Sequence, residues 1–258
     1  KLQTLSNITL WPTVRIFIGS DTGNLFIQSA EYTEIRNIPD SLGEKYNKIA
    51  QFAISCTSPS IIALGVDDCA YKTPNWPYEL FRAADLFPDS IGVIYFGGRS
   101  GSLPIHSAVT KEWISILGHW FPPYFPFWFH DTWLHEVATM SGRIVWADIE
   151  IEELGGRGKT RGLRDVLFWA EFFDRTRPLR EQEADKIIEA CYQEAPYRKA
   201  QLLYDRAEMK EQFLKANSIL RDPGIAAHLE NGRSIPDDDS RYNRIYHRAE
   251  ALLKEHDL

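Results

Sequence analysis

The chain has 258 residues, of which 44% are hydrophobic and 25% charged, an ordinary balance for one large globular domain with or without an appendage. Its formal net charge of −7 argues against a nucleic-acid-binding surface, which normally requires a basic face. Three cysteines without CxxC spacing, no apolar run of transmembrane length and no signal peptide predict a cytoplasmic protein.

Apolar runs, turn residues and helix-capping signals divide the first part of the chain into predicted elements. In chain order these are a strand over 14–20, a helix over 42–54, a strand over 61–66, a helix over 77–84, a strand over 91–96, helices over 110–117 and 131–141, and a strand over 143–147. The run from Ile61 to Val66 is almost continuously apolar, which is typical of a strand buried on both faces.

The composition changes near Leu163. From there to the last residue, charged and helix-favouring residues dominate, interrupted by Pro178, Pro196, Pro223 and Pro236. This pattern predicts an α/β domain of catalytic type over residues 1–162, followed by a mainly helical C-terminal extension over residues 163–258.

Two adjacent carboxylates, Asp67 and Asp68, follow the predicted strand that ends at Val66. Like charges repel, so the pair is costly unless a positive group lies against it. At the carboxyl end of a strand in an open α/β sheet, a divalent cation with its phosphate ligand often supplies that charge. The alternative is that an aspartate caps the following turn or helix.

Several short motifs, taken in order, resemble the GT-A-fold glycosyltransferases, and specifically the family-2-like nucleotide-diphospho-sugar transferases. They span about residues 2–163 and are Gly19-Ser20-Asp21, Gly43 with Asn47, Val66-Asp67-Asp68, Trp76, Ile105-His106, Leu117-Gly118-His119-Trp120-Phe121, His130-Asp131-Thr132-Trp133-Leu134 and Ser141-Gly142-Arg143-Ile144. The resemblance implies a GT-A (Rossmann-like) α/β fold, in which helices flank a mixed, mostly parallel sheet. It also implies that the family's first strand would precede Lys1.

The resemblance assigns roles to three aspartates. Asp68, in a DXD-like position, would bind Mn²⁺ or Mg²⁺, and Asp67 would contact the ribose or sugar of the donor. Asp131 would be the catalytic base that deprotonates the acceptor hydroxyl, so that the anomeric centre is inverted. Its aromatic neighbours Trp128, Phe129 and Trp133 suit a desolvated carboxylate. A helix N-cap is the structural alternative for Asp131.

Further donor and metal contacts follow from the same resemblance. Asp21, Asn47 and His106 are expected to contact the donor; the alternatives are a turn aspartate, a helix-surface amide and a structural histidine. Many relatives place a metal-binding histidine after the strand that follows the Gly-Arg turn, and this chain has Glu153 there. A carboxylate binds the same cations, so Glu153 is the second expected metal ligand.

The aromatic stretch over residues 120–128 has neither helical nor strand periodicity, and its prolines exclude a regular helix. Aromatic faces suit the apolar C–H faces of sugars. An acceptor-binding surface is therefore expected from Trp120, Trp128, His130 and Trp133. The alternative is a hydrophobic plug that serves the core.

The resulting hypothesis is a metal-dependent, inverting glycosyltransferase of hexosyltransferase type. Its expected partners are a nucleotide-diphosphate sugar donor and a glycan or other hydroxyl-bearing acceptor, with no nucleic acid and no transmembrane segment. One alternative is a catalytically degenerate module that binds sugar nucleotides or glycans. Another is an assembly protein whose helical part docks a partner.

Overall fold

The computed structural model describes residues 16–20, 32–36, 42–65, 69–97, 106–126, 129–154, 166–191 and 240–258. For residues 16–20, 32–36, 153, 166–167 and 240–243 it describes the backbone alone. The helices are α1 (Leu42–Thr57), α2 (Trp76–Ala84), α3 (Lys111–Leu117), α4 (His130–Met140), α5 (Val166–Arg175), α6 (Arg177–Cys191) and α7 (Ser240–Glu255). The strands are β1 (Ile16–Ser20), β2 (Tyr32–Arg36), β3 (Ile61–Ala63), β4 (Cys69–Tyr71), β5 (Val93–Phe96), β6 (His106–Thr110), β7 (Ile144–Trp146) and β8 (Ile151–Glu153).

The chain divides into two compact units. The first, called the sheet unit here, contains all the described strands together with α2, α3 and α1 from Glu44 onwards. The second, called the helical unit, contains Leu42, Gly43, the segment from Phe121 to Arg143 with α4, and helices α5 to α7. The boundary predicted after residue 162 stays a prediction. In the division described here, α4 lies in the same unit as the later helices.

The described strands form a mixed four-stranded sheet and two smaller sheets. The larger sheet has the order β3-β6-β5-β7, in which β5 and β7 are parallel and the other two neighbouring pairs are antiparallel. Strands β1 and β2 pair in parallel, and β4 and β8 pair antiparallel. The predicted α/β class and mixed sheet are confirmed. The expected predominance of parallel pairs is not seen in the four-stranded sheet, and the GT-A fold stays a prediction.

The core of the sheet unit lies around β5. Its four residues are at most 1% exposed, because β6 and β7 flank the strand and side chains cover both faces. The apolar run over 91–96 is typical of such a buried strand. The burial on both faces that was predicted for the run from Ile61 is wrong, because β3 is a three-residue edge strand with partly exposed side chains. The surrounding apolar cluster comes from four elements and the loops between them, and consists of Tyr71, Trp76, Leu80, Ala83, Phe87, Ile94, Phe96, Ala108 and Ile149.

The core of the helical unit is aromatic. Phe125 is fully buried, and its ring lies 5.3 to 6.3 Å from five other aromatic rings: Phe129, Trp133, Trp169, Phe172 and Phe173. Large rings bury much apolar area, and their tilted and edge-to-face contacts add to the stability of the packing. No helix within the described ranges is both long and apolar enough to cross a membrane.

Candidate functional site

Helix α4 is buried on nearly every side. Of its eleven residues, eight are buried, and the three that remain partly exposed are all polar: Asp131, Thr132 and His135. Residues four apart lie on one face of a helix, so Asp131 and His135 are neighbours, and Thr132 lies beside them. We call this group the open face of α4. A polar face that stays accessible on an otherwise buried helix is available to a ligand.

The residue before α4 has an unusual backbone. Phe129 occupies the N-cap position with φ 70°, in the left-handed region, and no side chain among the described residues caps the helix. For a bulky residue this conformation costs about 1–3 kcal/mol, and such strain is concentrated at functional sites. Because Phe129 is the N-cap, Asp131 lies inside the first turn, and the N-cap alternative for Asp131 is not what the structure contains.

The carboxylate of Asp131 is held by its neighbour. Its Oδ1 accepts a hydrogen bond of 2.8 Å from the backbone N–H of Thr132 and a longer one of 3.4 Å from the Thr132 hydroxyl. An acidic residue in the first turn also interacts favourably with the positive end of the helix dipole. These contacts give the partly exposed carboxylate of Asp131 a defined orientation.

His135 lies one turn further along the open face. Burial lowers its pKa from 6.5 to about 4, and the nearby negative charge of Asp131 opposes this shift only in part. The imidazole is therefore neutral near pH 7, with one nitrogen that donates a hydrogen bond and one that accepts. The sequence hypothesis did not single out His135, although its spacing from Asp131 could have indicated it.

The same helix carries a sealed ion pair that sequence reasoning missed. Glu136 and Arg180 have side chains only 1% exposed, and Arg180 Nε donates to Glu136 Oε2. Arg180 Nη1 also donates to the Phe173 carbonyl and to Thr176 Oγ1, and the guanidinium lies over the rings of Phe173 and Trp133. The pair joins α4 to α6, and its residues are too far apart in sequence for any motif to show it.

Burial dominates the electrostatics of this pair. It raises the pKa of the Glu136 carboxyl despite the opposing charge of Arg180, and it lowers the pKa of Arg180 to about 10 despite Glu136. The second carboxylate oxygen of Glu136, Oε1, is buried and has no hydrogen-bond partner among the described residues. Each charge is therefore costly to bury and is retained because the other is present.

The residues expected to contact the acceptor have different environments. Trp133 is 1% exposed, its indole N–H donates to Glu183 Oε2 at 2.7 Å, and its ring belongs to the aromatic core. His130 is buried and meets Phe121 edge-on. Trp120 is also buried, and it belongs to the sheet unit. Trp128 lies outside the described residues. The acceptor roles stay predictions, and the burial of these rings favours the core alternative.

Two of the expected donor residues are buried inside the sheet unit. Asn47 accepts a hydrogen bond of 2.9 Å from the backbone N–H of Trp120 through its side-chain oxygen. His106 stacks on Phe96, and its Nε2 lies 3.9 Å from the thiol sulfur of Cys69. The structure thus brings Asn47 together with Trp120. Each of these polar groups has a structural role, and their contacts with a donor stay predictions.

The acidic pair itself, Asp67 and Asp68, lies outside the described residues, as does Asp21. The segments on either side of the pair are nevertheless joined, because the Tyr71 hydroxyl donates a hydrogen bond of 2.6 Å to the Leu64 carbonyl. Burial raises the pKa of Tyr71, which keeps this hydroxyl protonated. The ends of the loop that contains the pair are therefore fixed.

Glu153, the other expected metal ligand, lies in β8, where the structure describes its backbone. In the β4–β8 pairing, Glu153 is the partner of Cys69, the residue that follows Asp68 in the sequence. Among the side chains that the structure describes, no group of three or more His, Cys, Asp or Glu is placed to hold a metal ion. Asp68 and the side chain of Glu153 are not among the described side chains.

No protein-family model matches the sequence, and neither the curated proteins nor the solved structures give a significant match. The resemblance to glycosyltransferases therefore depends on the motifs in the sequence.

Proposed function

We propose that this protein is a metal-dependent, inverting glycosyltransferase that moves a hexose from a nucleotide-diphosphate donor to a hydroxyl acceptor. The observation that carries the proposal is the position of Asp131. It is a partly exposed, hydrogen-bonded carboxylate on a helix that is otherwise almost entirely buried, directly after the strained backbone of Phe129. A general base needs this combination of access and fixed orientation.

The chemistry requires one proton transfer and one displacement. The acceptor oxygen attacks the anomeric carbon from the side opposite the diphosphate, and its proton passes to the carboxylate of Asp131. The bond between the anomeric carbon and the diphosphate oxygen breaks, and its electron pair leaves with the nucleoside diphosphate. Direct displacement inverts the configuration at the anomeric carbon.

In this proposal the divalent cation is bound by the carboxylates of Asp68 and Glu153. The β4–β8 register places Glu153 opposite the residue after Asp68, and the Tyr71–Leu64 hydrogen bond fixes the ends of the acidic loop. Carboxylate oxygens are the ligands that Mn²⁺ and Mg²⁺ prefer, so the chemistry of Asp68 and Glu153 suits such an ion. When bound, the cation would neutralise the negative charge of the departing diphosphate.

The test measures turnover of a panel of nucleotide-diphosphate sugars with Mn²⁺, with Mg²⁺ and after chelation. We expect metal-dependent release of one nucleoside diphosphate, and we expect Asp131→Asn to lower this rate by about 10²- to 10⁴-fold. The matched control is Asp85→Asn, which makes the same chemical change at an exposed turn after α2 and should leave the rate unchanged.

The outcomes separate the alternatives. Binding of a donor without turnover in the wild-type protein would support the degenerate binding module. The absence of any thermal shift with nucleotide sugars and Mn²⁺ would favour the assembly protein, because a donor at 100 times its Kd should stabilise a binding protein by about 2.7 kcal/mol. Equal rates for Asp131→Asn and the wild type would refute the catalytic role of Asp131.

A further inference from the structure

Helices α4 and α6 contact each other in a regular series of steps. The indole N–H of Trp133 donates to Glu183 Oε2 at 2.7 Å, and Glu136, three residues further along α4, is paired with Arg180. Three residues towards the C-terminus of α4 therefore correspond to three residues towards the N-terminus of α6. The two helices are antiparallel along this contact, and residues three apart on each helix follow one another along it.

The next step of this series brings Thr139 of α4 opposite Arg177 of α6. An independent observation also places Arg177 there. Burial raises the pKa of the Glu136 carboxyl, and the positive charges of Arg180 and then Arg177 oppose that rise, so Arg177 lies close to the carboxylate. Thr139 is itself only 5% exposed. The last turn of α4 and the first turn of α6 thus enclose Glu136, Thr139 and Arg177 together.

Each of these three side chains has one buried polar atom that makes no hydrogen bond to any part of the chain that the structure describes: Glu136 Oε1, Thr139 Oγ1 and Arg177 Nη2. Their hydrogen-bonding characters are complementary. An ionised carboxylate oxygen accepts, a guanidinium nitrogen donates, and a hydroxyl does both. Buried polar groups in native proteins are nearly always hydrogen-bonded, and where the protein supplies no partner an ordered water usually does.

We propose that one buried water molecule binds between α4 and α6, held by Glu136 Oε1, Thr139 Oγ1 and Arg177 Nη2. The water donates to the carboxylate, accepts from the guanidinium and forms its third hydrogen bond with the hydroxyl, and about three such bonds are typical of a buried water. An ion does not suit this place, because Glu136 is already paired with Arg180 and Arg177 with Glu181. An added charge would be buried without a partner.

This water completes the sealed ion pair. Arg180 satisfies only Oε2 of the Glu136 carboxylate, and the water satisfies the other oxygen, so that the charge can stay buried. It also connects the Glu136–Arg180 pair to the less buried pair of Arg177 and Glu181. The inference does not depend on the proposed function.

A crystal structure of the full chain, at a resolution that shows ordered water, tests the proposal directly. We expect one well-ordered water within about 3.2 Å of the three atoms. Direct hydrogen bonds among the three side chains, with no water between them, would overturn the proposal, and so would an ion at this place.

Water-selective NMR tests the same site in solution. We expect a nuclear Overhauser effect from water to the γ-methyl group of Thr139 and none to that of Thr110. Thr110 is the matched control, a buried threonine whose hydroxyl is hydrogen-bonded to the N–H and the carbonyl of Gly92. Because both threonines have an exchangeable hydroxyl, the comparison corrects for proton exchange with the solvent. Equal signals for the two methyl groups would contradict a bound water at Thr139.

Stability measurements test whether the water links the two helices. Thr139→Val nearly keeps the shape of the side chain but removes the hydroxyl, and it should lower the folding equilibrium constant about fivefold, the equivalent of one hydrogen bond. In an Arg177→Met background the same substitution should cost clearly less, because side chains in one hydrogen-bond network do not act additively. If Thr139→Val costs the same in both backgrounds, the two side chains do not share a ligand and the proposal fails.

Discussion

Helix α4 carries two polar regions with opposite environments. The Glu136–Arg180 pair is sealed, with both side chains 1% exposed and with hydrogen bonds, aromatic rings and an opposite charge around the guanidinium. The open face has Asp131 and His135 partly exposed one turn apart. Both regions contain a carboxylate and a basic side chain. The difference lies in access to solvent rather than in composition.

This contrast separates a structural role from a role in binding or catalysis. A sealed ion pair stabilises one arrangement of helices, and its loss should be seen in the free energy of unfolding. A half-exposed pair can bind a ligand and should contribute less to stability. Single substitutions on α4 and α6 can therefore test whether the two regions are as different as their exposure indicates.

The largest effect is expected from Arg180→Met. It leaves the Glu136 carboxyl buried without its partner, so the free energy of unfolding should fall by about 3–5 kcal/mol in a denaturant titration. The control is Arg177→Met, which removes the more exposed ion pair with Glu181 and should cost less than about 1 kcal/mol. Adding Glu136→Met to Arg180→Met should restore most of the loss. Equal costs for the two arginine substitutions would contradict the structural role of the sealed pair.

A smaller effect is expected from the pH dependence of stability. The folded protein has a His135 pKa of about 4, below the ordinary 6.5, so the unfolded chain binds more protons between these values. The contribution of His135 to the free energy of unfolding is complete above pH 6.5. It falls towards pH 4, by about 3 kcal/mol at most. Unfolding curves of wild type and His135→Gln over this range measure it, since the variant lacks this contribution. Parallel curves would show that His135 is not desolvated.

The smallest effect on stability is expected from Asp131→Asn. The amide oxygen can still accept the Thr132 N–H, and only the favourable interaction with the helix dipole is lost, about 0.3–1 kcal/mol. Glu136→Gln makes the same chemical change at the sealed site and should cost clearly more. If both substitutions cost the same in thermal or chemical unfolding, the distinction between the two regions is lost.

Long elements with clear end signals were predictable from the sequence. The helix predicted over 131–141 is observed as His130–Met140, and the one predicted over 77–84 as Trp76–Ala84. The helix break that was predicted at Pro178 is not at that residue. Pro178 lies in the first turn of α6, where a backbone N–H would have no helical partner, so the proline does not interrupt the helix. The burial of β5 followed from its apolar run.

Strands β4, β6 and β8 were not predicted from the sequence. Strand β6 carries His106, Ser107 and Thr110, whose polar side chains are all buried because the strand lies between β3 and β5. Strands β4 and β8 have three residues each, too few for a periodic pattern. These strands exist because of tertiary pairing, which overrides weak local signals.

The candidate site was predictable in part. Asp131 could be recognised as an acidic residue within an aromatic cluster. Its exposure to solvent could not be inferred, because it depends on which face of α4 the other helices cover. The same limit applies to the Glu136–Arg180 pair, whose residues are 44 positions apart. Helix periodicity predicts which residues share a face, and tertiary packing decides which face is covered.

The pairing of β4 with β8 makes this part of the chain sensitive to insertions. Successive side chains of a strand point to opposite faces, so a slip of one residue would put Glu152 in place of Glu153 opposite Cys69 and turn every side chain of β8 over. Three contacts oppose such a slip: the Lys72 N–H bond to the Glu150 carbonyl, the Glu150 N–H bond to Thr73 Oγ1, and the Lys72–Glu152 ion pair. One added residue between Cys69 and Thr73 would break this alignment, whereas lengthening an exposed surface turn elsewhere would leave it intact.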